Sequence, residues 1–219
     1  MEKKNIKEKR DESIRSILDA ATEVFAEAGF AGARMDEIAR RAGVNKAMIY
    51  YRIGDKEALY TEVLHDVFGD TAERISRNIG ENHSPEEKLR SYIKNLATTM
   101  ERHPYMPYIM MREMASRGRQ LNEMVAKDLI KIIVIIKGIL DEGREKGVFI
   151  QTDPLIFHFM VIGILILFKA SEPMRALFYP ILHDRIKDVD QRSLEKMGKR
   201  SFEDAVKEIE RLVMHAIKA

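Results

Sequence analysis

The sequence predicts an all-α protein with an N-terminal three-helix, helix-turn-helix domain and a larger C-terminal helical domain. Three observations carry this. Apolar residues recur at helical spacing through most of the chain, with no alternating strand pattern and no internal repeat. Helix start and stop signals recur between those periodic segments. Near the N-terminus, one long amphipathic segment precedes two short ones joined by a Gly-containing turn.

The first helix carries Ile14, Ile17, Leu18, Ala21, Val24, Phe25 and Ala28 on one stripe, and Gly29 supplies its stop. A short helix follows around Asp36–Ala42, ending at Gly43. The next occupies Lys46–Arg52, with Asn45 placed to cap it. Asp55 caps a longer helix bearing Leu59, Val63, Val67, Ile75 and Ile79. A boundary falls at Gly80–Ser84, after which Ser84, Pro85 and Glu87 spell a capping box with Pro at the first helical position. That helix ends at His103–Pro104. Tyr105–Ser116 reads as a Met-rich helix, Gln120–Lys146 as a long one stopped by Gly147. Asp153–Pro154 opens an apolar helix, Leu155–Phe168. Glu172–Arg200 reads as a polar connection with room for one short helix. From Ser201 the last helix carries Val206, Ile209, Leu212, Val213, Ala216 and Ile217 on one face. The division predicted is residues 11–71, with the motif at about 34–53, and residues 72–219.

With 219 residues, 45% apolar and 33% charged, the composition suits a globular protein with a sizeable core. The absence of cysteine excludes a disulfide framework and thiolate metal sites. The charged start MEKKNIKEKRDE is not followed by an apolar segment of the secretory kind. Leu155–Phe168 is shorter than the roughly 20 apolar residues of a membrane span, so a cytoplasmic location and no membrane partner are expected. Glu62 and His65 form a single Glu-x-x-His, whereas carboxylate-bridged metal sites use two. Neither a nucleophile elbow nor a phosphate-binding Gly loop is present. No enzymatic activity, catalytic residue, cofactor or metal is therefore expected.

The net charge of +2 does not argue for nucleic acid, but the local charge does. Between Arg34 and Lys56 there are six basic and three acidic residues. Asn45, Lys46 and Ala47 open the second short helix, and Tyr50, Tyr51, Arg52 and Lys56 follow. A small helix offering such side chains to base edges, with phosphate contacts on both sides, is what major-groove reading requires. Lys3, Lys4, Lys7, Lys9 and Arg10 are expected to add a flexible basic arm. The helix-turn-helix shape alone also occurs in proteins that never touch DNA.

The string GFAGARMDEIARRAGVNKAMIYYRIGDKEALYTEVL (Gly29–Leu64) resembles the N-terminal domain of the TetR family of regulators. Gly29-Phe30, Asp36-Glu37-Ile38-Ala39, Ala42-Gly43-Val44, Ile49-Tyr50-Tyr51 and Asp55-Lys56-Glu57-Ala58-Leu59 carry the likeness. The resemblance implies a repressor whose homodimer binds a near-palindromic double-stranded operator. Tyr50 and Lys56 take the positions of phosphate-contacting residues. Asn45, Lys46, Ala47, Tyr51 and Arg52 take positions that meet bases or backbone. Arg34 stands where the family places a small hydroxyl cap, and is within reach of a phosphate. Arg52 and Ile53 replace the common His or aromatic residue and the common Phe.

The resemblance also implies dimerisation through the last two long helices, and a pocket for a small, hydrophobic effector in the central helices. The candidate lining is Met100, His103, Met110, Met111, Met114, Phe157 and His158, with Arg112 and Glu113 as further polar anchors; ordinary core packing is the competing reading. The effector would act by repositioning the helix that begins at Asp55. The alternative keeps the DNA-binding fold but has it respond to a protein partner or to no ligand.

Overall fold

The helix ends written into the sequence are made by particular hydrogen bonds. The computed structural model describes residues 2–80, 82–185 and 200–219. Among them are ten helices: α1 (Glu2–Gly32), α2 (Met35–Ala42), α3 (Lys46–Arg52), α4 (Lys56–Asn78), α5 (Pro85–Arg102), α6 (Met106–Ser116), α7 (Glu123–Glu145), α8 (Pro154–Ala170), α9 (Glu172–Arg185) and α10 (Phe202–Ala216). α1 breaks at Gly29, whose φ of 69° is left-handed, so the long helix stops where the glycine stands. Gly43, also left-handed, ends α2, and its N–H reaches the carbonyls of Ala39 and Arg40. Asn45 Oδ1 accepts from Ala47 N–H at 2.9 Å, and Asp55 Oδ1 from Ala58 N–H at 2.9 Å. Ser84 and Glu87 close their capping box in both directions. Asp153 Oδ1 accepts from the N–H groups of Leu155 and Ile156.

One expectation is corrected and another is met. The backbone of residues 2–11 continues α1 as helix instead of forming a flexible arm. The basic side chains of that stretch lie outside the described residues. The connection after Ser171 holds α9, a helix of 14 residues, before residues 186–199, which also lie outside them.

The chain divides into two compact units, one of residues 1–73 with 103–131 and one of residues 74–102 with 132–219. Each is a helical core in its own right. In the first, Ile17, Ala21, Val24 and Phe25 of α1 bury against Ile38, Ile49, Leu59 and Leu64. Phe25 meets Tyr60 edge-on, with ring centroids 4.7 Å apart, and Phe30 covers the same ring. α6 belongs to this unit. Arg112 donates from Nε and Nη2 to the carbonyls of Ala26 and Glu27, at 3.0 and 2.7 Å. Those carbonyls lie just before the Gly29 break, where a helix end lacks partners and favours a cation.

In the second unit α5, α8 and α10 pack together through Leu89, Tyr92, Ile93, Phe157, Val161, Leu165, Ile209 and Val213. Lys88 ties α5 to Glu142 of α7 at 2.7 Å. Ile150 N–H donates to the Ile217 carbonyl, and Ala219 N–H to that of Val148, pinning the end of α10 against the segment before α8. Phe149 in that segment packs closely against Gly143. A Cβ at position 143 would stand 1.9 Å from the Phe149 Cδ2. Gly143→Ala is therefore expected to destabilise by about 1–2 kcal/mol, because overpacking outweighs the helix propensity that alanine adds. Circular dichroism melts check this; an unchanged or raised Tm would show that the ring yields freely.

Candidate nucleic-acid interface

α3 puts one fully buried side chain into the first unit. Ile49 is fully buried, while Ala47, Met48, Tyr50 and Tyr51 stand exposed around it. Tyr51 is 89% exposed and Tyr50 48%, an unusual placement for aromatic side chains unless something else covers them. Arg34 is exposed too; it is the N-cap of α2 in extended conformation and makes no side-chain cap bond, as its chemistry requires. Asn45 spends its side-chain oxygen on the α3 cap.

Of the remaining basic residues, all but Arg52 are engaged within the protein. Lys46 pairs with Asp36 of α2, Nζ to Oδ1 at 3.0 Å. Lys56 donates to the Ala33 carbonyl at 3.2 Å and sits 4.7 Å from the centroid of the Phe30 ring. Arg52 is half-buried, and its Nε is covered without a hydrogen-bond partner. Arg40 forks onto Glu37 at 2.9 and 2.6 Å. Arg41 binds Glu37 and, on α1, Glu27. The bonds from Arg40 first, then Arg41, hold the Glu37 carboxyl down at about 2, and the bonds to Glu27 first, then Glu37, push the Arg41 guanidinium up. Asp36 and Glu37, already in the count, engage Lys46, Arg40 and Arg41, and Glu27 of α1 answers one of the three surplus positive charges. Glu27 lies outside the stretch over which the excess was counted, which is why the sequence did not show its part.

The candidate ligand residues divide between the two units. Met100, Phe157 and His158 are buried in the second. In the first, His103 and Met110 are half-buried, and Met111 and Met114 are exposed. His158 shares a 2.6 Å hydrogen bond with the Tyr92 hydroxyl, and burial lowers its imidazole to about 4, so it is neutral near pH 7. Arg112 serves the end of α1, and buried Glu113 accepts from the Tyr60 hydroxyl at 2.6 Å. An open cleft in the second unit is lined by Arg90, Phe149, Arg211, His215 and Lys218, among others, and by none of the candidate ligand residues. His65 Nδ1 lies 2.5 Å from Asp128 Oδ2, and Lys131 holds the other oxygen of that carboxylate. Among the described residues no three His, Asp or Glu side chains gather as metal ligands, and no single helix is long and apolar enough to cross a membrane.

Known proteins share this architecture. Residues 17–63 match the bacterial regulatory proteins of the tetR family, and residues 82–209 the tetracyclin repressor-like C-terminal domain. The chain is 29% identical over 166 residues to the HTH-type transcriptional repressor NicS of Pseudomonas putida, covering 74% of this chain and 77% of that one. It is 30% identical over 148 residues to the HTH-type transcriptional regulator RutR of Escherichia coli K12, covering 67% and 69%. Its fold is that of the transcriptional regulator FadR of Bacillus subtilis in complex with stearoyl-CoA, with a TM-score of 0.63 at 22% identity over 91% of this chain and 97% of that one. With both of its domains matched, and with a helix-turn-helix that exposes the second short helix, the chain belongs to the TetR family of transcriptional regulators.

Proposed function

We propose that the protein is a repressor whose homodimer sets the two α3 helices into successive major grooves of a near-palindromic operator, roughly 34–36 Å apart. The observation that carries this is the anchoring of α3 by buried Ile49 with Tyr50 and Tyr51 left in solvent. Tyr50 and Lys56 meet phosphates. Arg34 reaches a phosphate at the start of α2, while Asn45, Lys46, Ala47, Tyr51 and Arg52 meet bases or the adjoining backbone. Arg52 can donate two hydrogen bonds to guanine. The domain that binds DNA is residues 11–71, and residues 72–219 receive the effector and the second copy. A cytoplasmic location goes with this role.

The test is binding of the purified protein to the DNA upstream of its own gene, across a salt series, beside three variants. Tyr50→Ala is expected to weaken binding at least about 10-fold, as loss of a phosphate contact and its stacking surface does. Lys46→Ala is expected to change the sequence preference and reduce the salt slope by about one. Asp36→Asn, which frees Lys46 from its partner, is expected to tighten binding several-fold. Weak binding that ignores sequence and all three variants would make the helix-turn-helix a scaffold.

The effector in this reading is small and hydrophobic. The Met and aromatic content of the central helices supports it, as does the stearoyl-CoA bound by FadR, which shares the fold. Release follows if the ligand binds the DNA-incompetent conformation better. A thermal-shift screen in which only strongly polar metabolites stabilise the protein would reject this class. That Arg112, Glu113 and His158 are already partnered favours a second reading in which the same fold answers to a protein partner or to none.

A further inference from the structure

The open cleft of the second unit encloses about 570 Å³, a size that suits a small molecule, and no residue assigned above to DNA or to the effector lines it. Its floor is apolar and fixed. Phe149 is buried there, with Val148 and Met214 beside it in the lining. The Phe149 backbone bridges to Lys218, and the bonds from Ile150 N–H to Ile217 and from Ala219 N–H to Val148 hold the two segments together. The wall is basic. Arg211 and His215 lie one turn apart on α10, Lys218 follows just beyond its end, and α5 contributes Arg90 with Glu86 one turn before it. Both guanidiniums are held by carboxylates that do not line the cleft. Arg211 forks onto Glu208 through Nε and Nη2 at 3.0 and 2.7 Å, and Arg90 donates from Nη1 to Glu210. Of the five N–H donors on a guanidinium, Arg211 thus uses two and Arg90 one. Lys218, His215 and Glu86 form no ion pair among the described residues.

We propose that this cleft is a second ligand site, for a small organic acid whose carboxylate meets Arg90, Arg211 and Lys218 and whose flat apolar body lies over Phe149. It goes beyond the effector reading above, since it shares no residue with that candidate lining. Guanidinium groups with unused donors recognise a carboxylate through paired parallel bonds. Glu208 and Glu210 fix the planes of both guanidiniums in advance, which lowers the ordering cost of binding. Those two glutamates also offset two of the three cations, so recognition rests on short-range hydrogen bonds more than on a long-range field. The apolar floor selects an acid with a hydrophobic body over a bare inorganic anion, which would leave Phe149 and Met214 uncovered. Glu86, the one carboxylate side chain in the lining, repels a second negative group and so favours a mono-acid over a di-acid.

The full-length protein would be titrated by calorimetry with cinnamate, with cinnamamide as its neutral counterpart and inorganic phosphate as an anion that lacks an apolar body. Cinnamate is expected to bind with a Kd of about 1 mM or tighter, and the other two at least about 10-fold more weakly. Arg211→Gln/Lys218→Gln is expected to weaken cinnamate at least about 10-fold, as loss of two charge-assisted contacts does, and Glu86→Gln to tighten it about 2-fold. All three side chains lie at the surface of the cleft, so circular dichroism melts of these variants should match the native protein. If the double variant melts early, Lys218→Gln alone, which breaks no ion pair, is expected to weaken cinnamate about 3-fold. Cinnamamide binding as tightly as cinnamate would reduce the cleft to an apolar groove and overturn the role of the arginines. Phosphate binding as tightly would overturn the role of the Phe149 floor. Cinnamate binding that ignores Arg211→Gln/Lys218→Gln and Glu86→Gln would place the acid elsewhere, and no heat up to about 10 mM would leave no site; either result overturns the proposal.

Discussion

Acidification from pH 7 to pH 4 is expected to remove about 3 kcal/mol of stability through His158 alone. The imidazole is buried against Tyr92, and burial lowers it to about 4 from its ordinary 6.5. The folded protein therefore holds His158 neutral where the unfolded chain binds a proton. Between about pH 6.5 and 4 the unfolded state carries the extra proton, so stability rises with pH in that window and is lost as pH falls through it. Above 6.5 both states are neutral and the contribution is complete; below 4 both are charged and the loss is finished. Urea titrations at pH 7, 5.5 and 4, on the native chain and on His158→Gln, isolate this contribution from the other histidines. The difference between the two proteins is expected to shrink or reverse as pH falls. A difference independent of pH would show that His158 titrates normally and is more open to water than its packing shows.

Phe25→Ala is expected to cost about 3–5 kcal/mol, the usual range for emptying a fully buried aromatic site. In a chain of this size that lowers Tm by roughly 10 °C. The ring sits between α1 and Tyr60 at the centre of the unit that carries α3, and it touches no surface offered to DNA. Operator binding should therefore be lost near the new Tm and retained well below it. Tyr50→Ala should behave in the opposite way, with Tm within about 0.5 kcal/mol-equivalent of the native protein and DNA binding lost at every temperature. Calorimetry and DNA titration on both variants separate the frame from the contact. A Phe25→Ala protein that melts like the native one would mean that Tyr60 and Phe30 close over the cavity.

Much of the fold was legible because helix ends are local events. Gly43, Asn45, Asp55, Ser84, Asp153 and Ser201 each act on backbone groups within four residues, and each does in the structure what its position implied. The stripes of α1 and α10 were readable for a related reason, since helical spacing gathers them on one face whatever that face meets. The family was legible through the same short segments from Gly29 to Leu64.

The ion pairs were not legible. Arg41 meets Glu27 and Lys46 meets Asp36 across helices, so a count of charge along one stretch could not tell free cations from engaged ones. Arg112 and Glu113, candidates for a ligand, hold the end of α1 and the Tyr60 hydroxyl instead, because α6 packs in the first unit. The sequence also could not apportion apolar surface between a protein's own core and its neighbour. An all-apolar helix such as α8 must lose contact with water, but helical spacing does not say which side is lost to which partner. By itself, the sequence determined the helix ends that a glycine or a capping side chain marks, which residues α3 presents, and the family. Only the tertiary structure decided which charges remain free, which polar groups are already satisfied, and that α8 and α9 rather than α10 keep the exposed apolar surface. Those outcomes depend on contacts between segments far apart in the chain, and no local pattern encodes them.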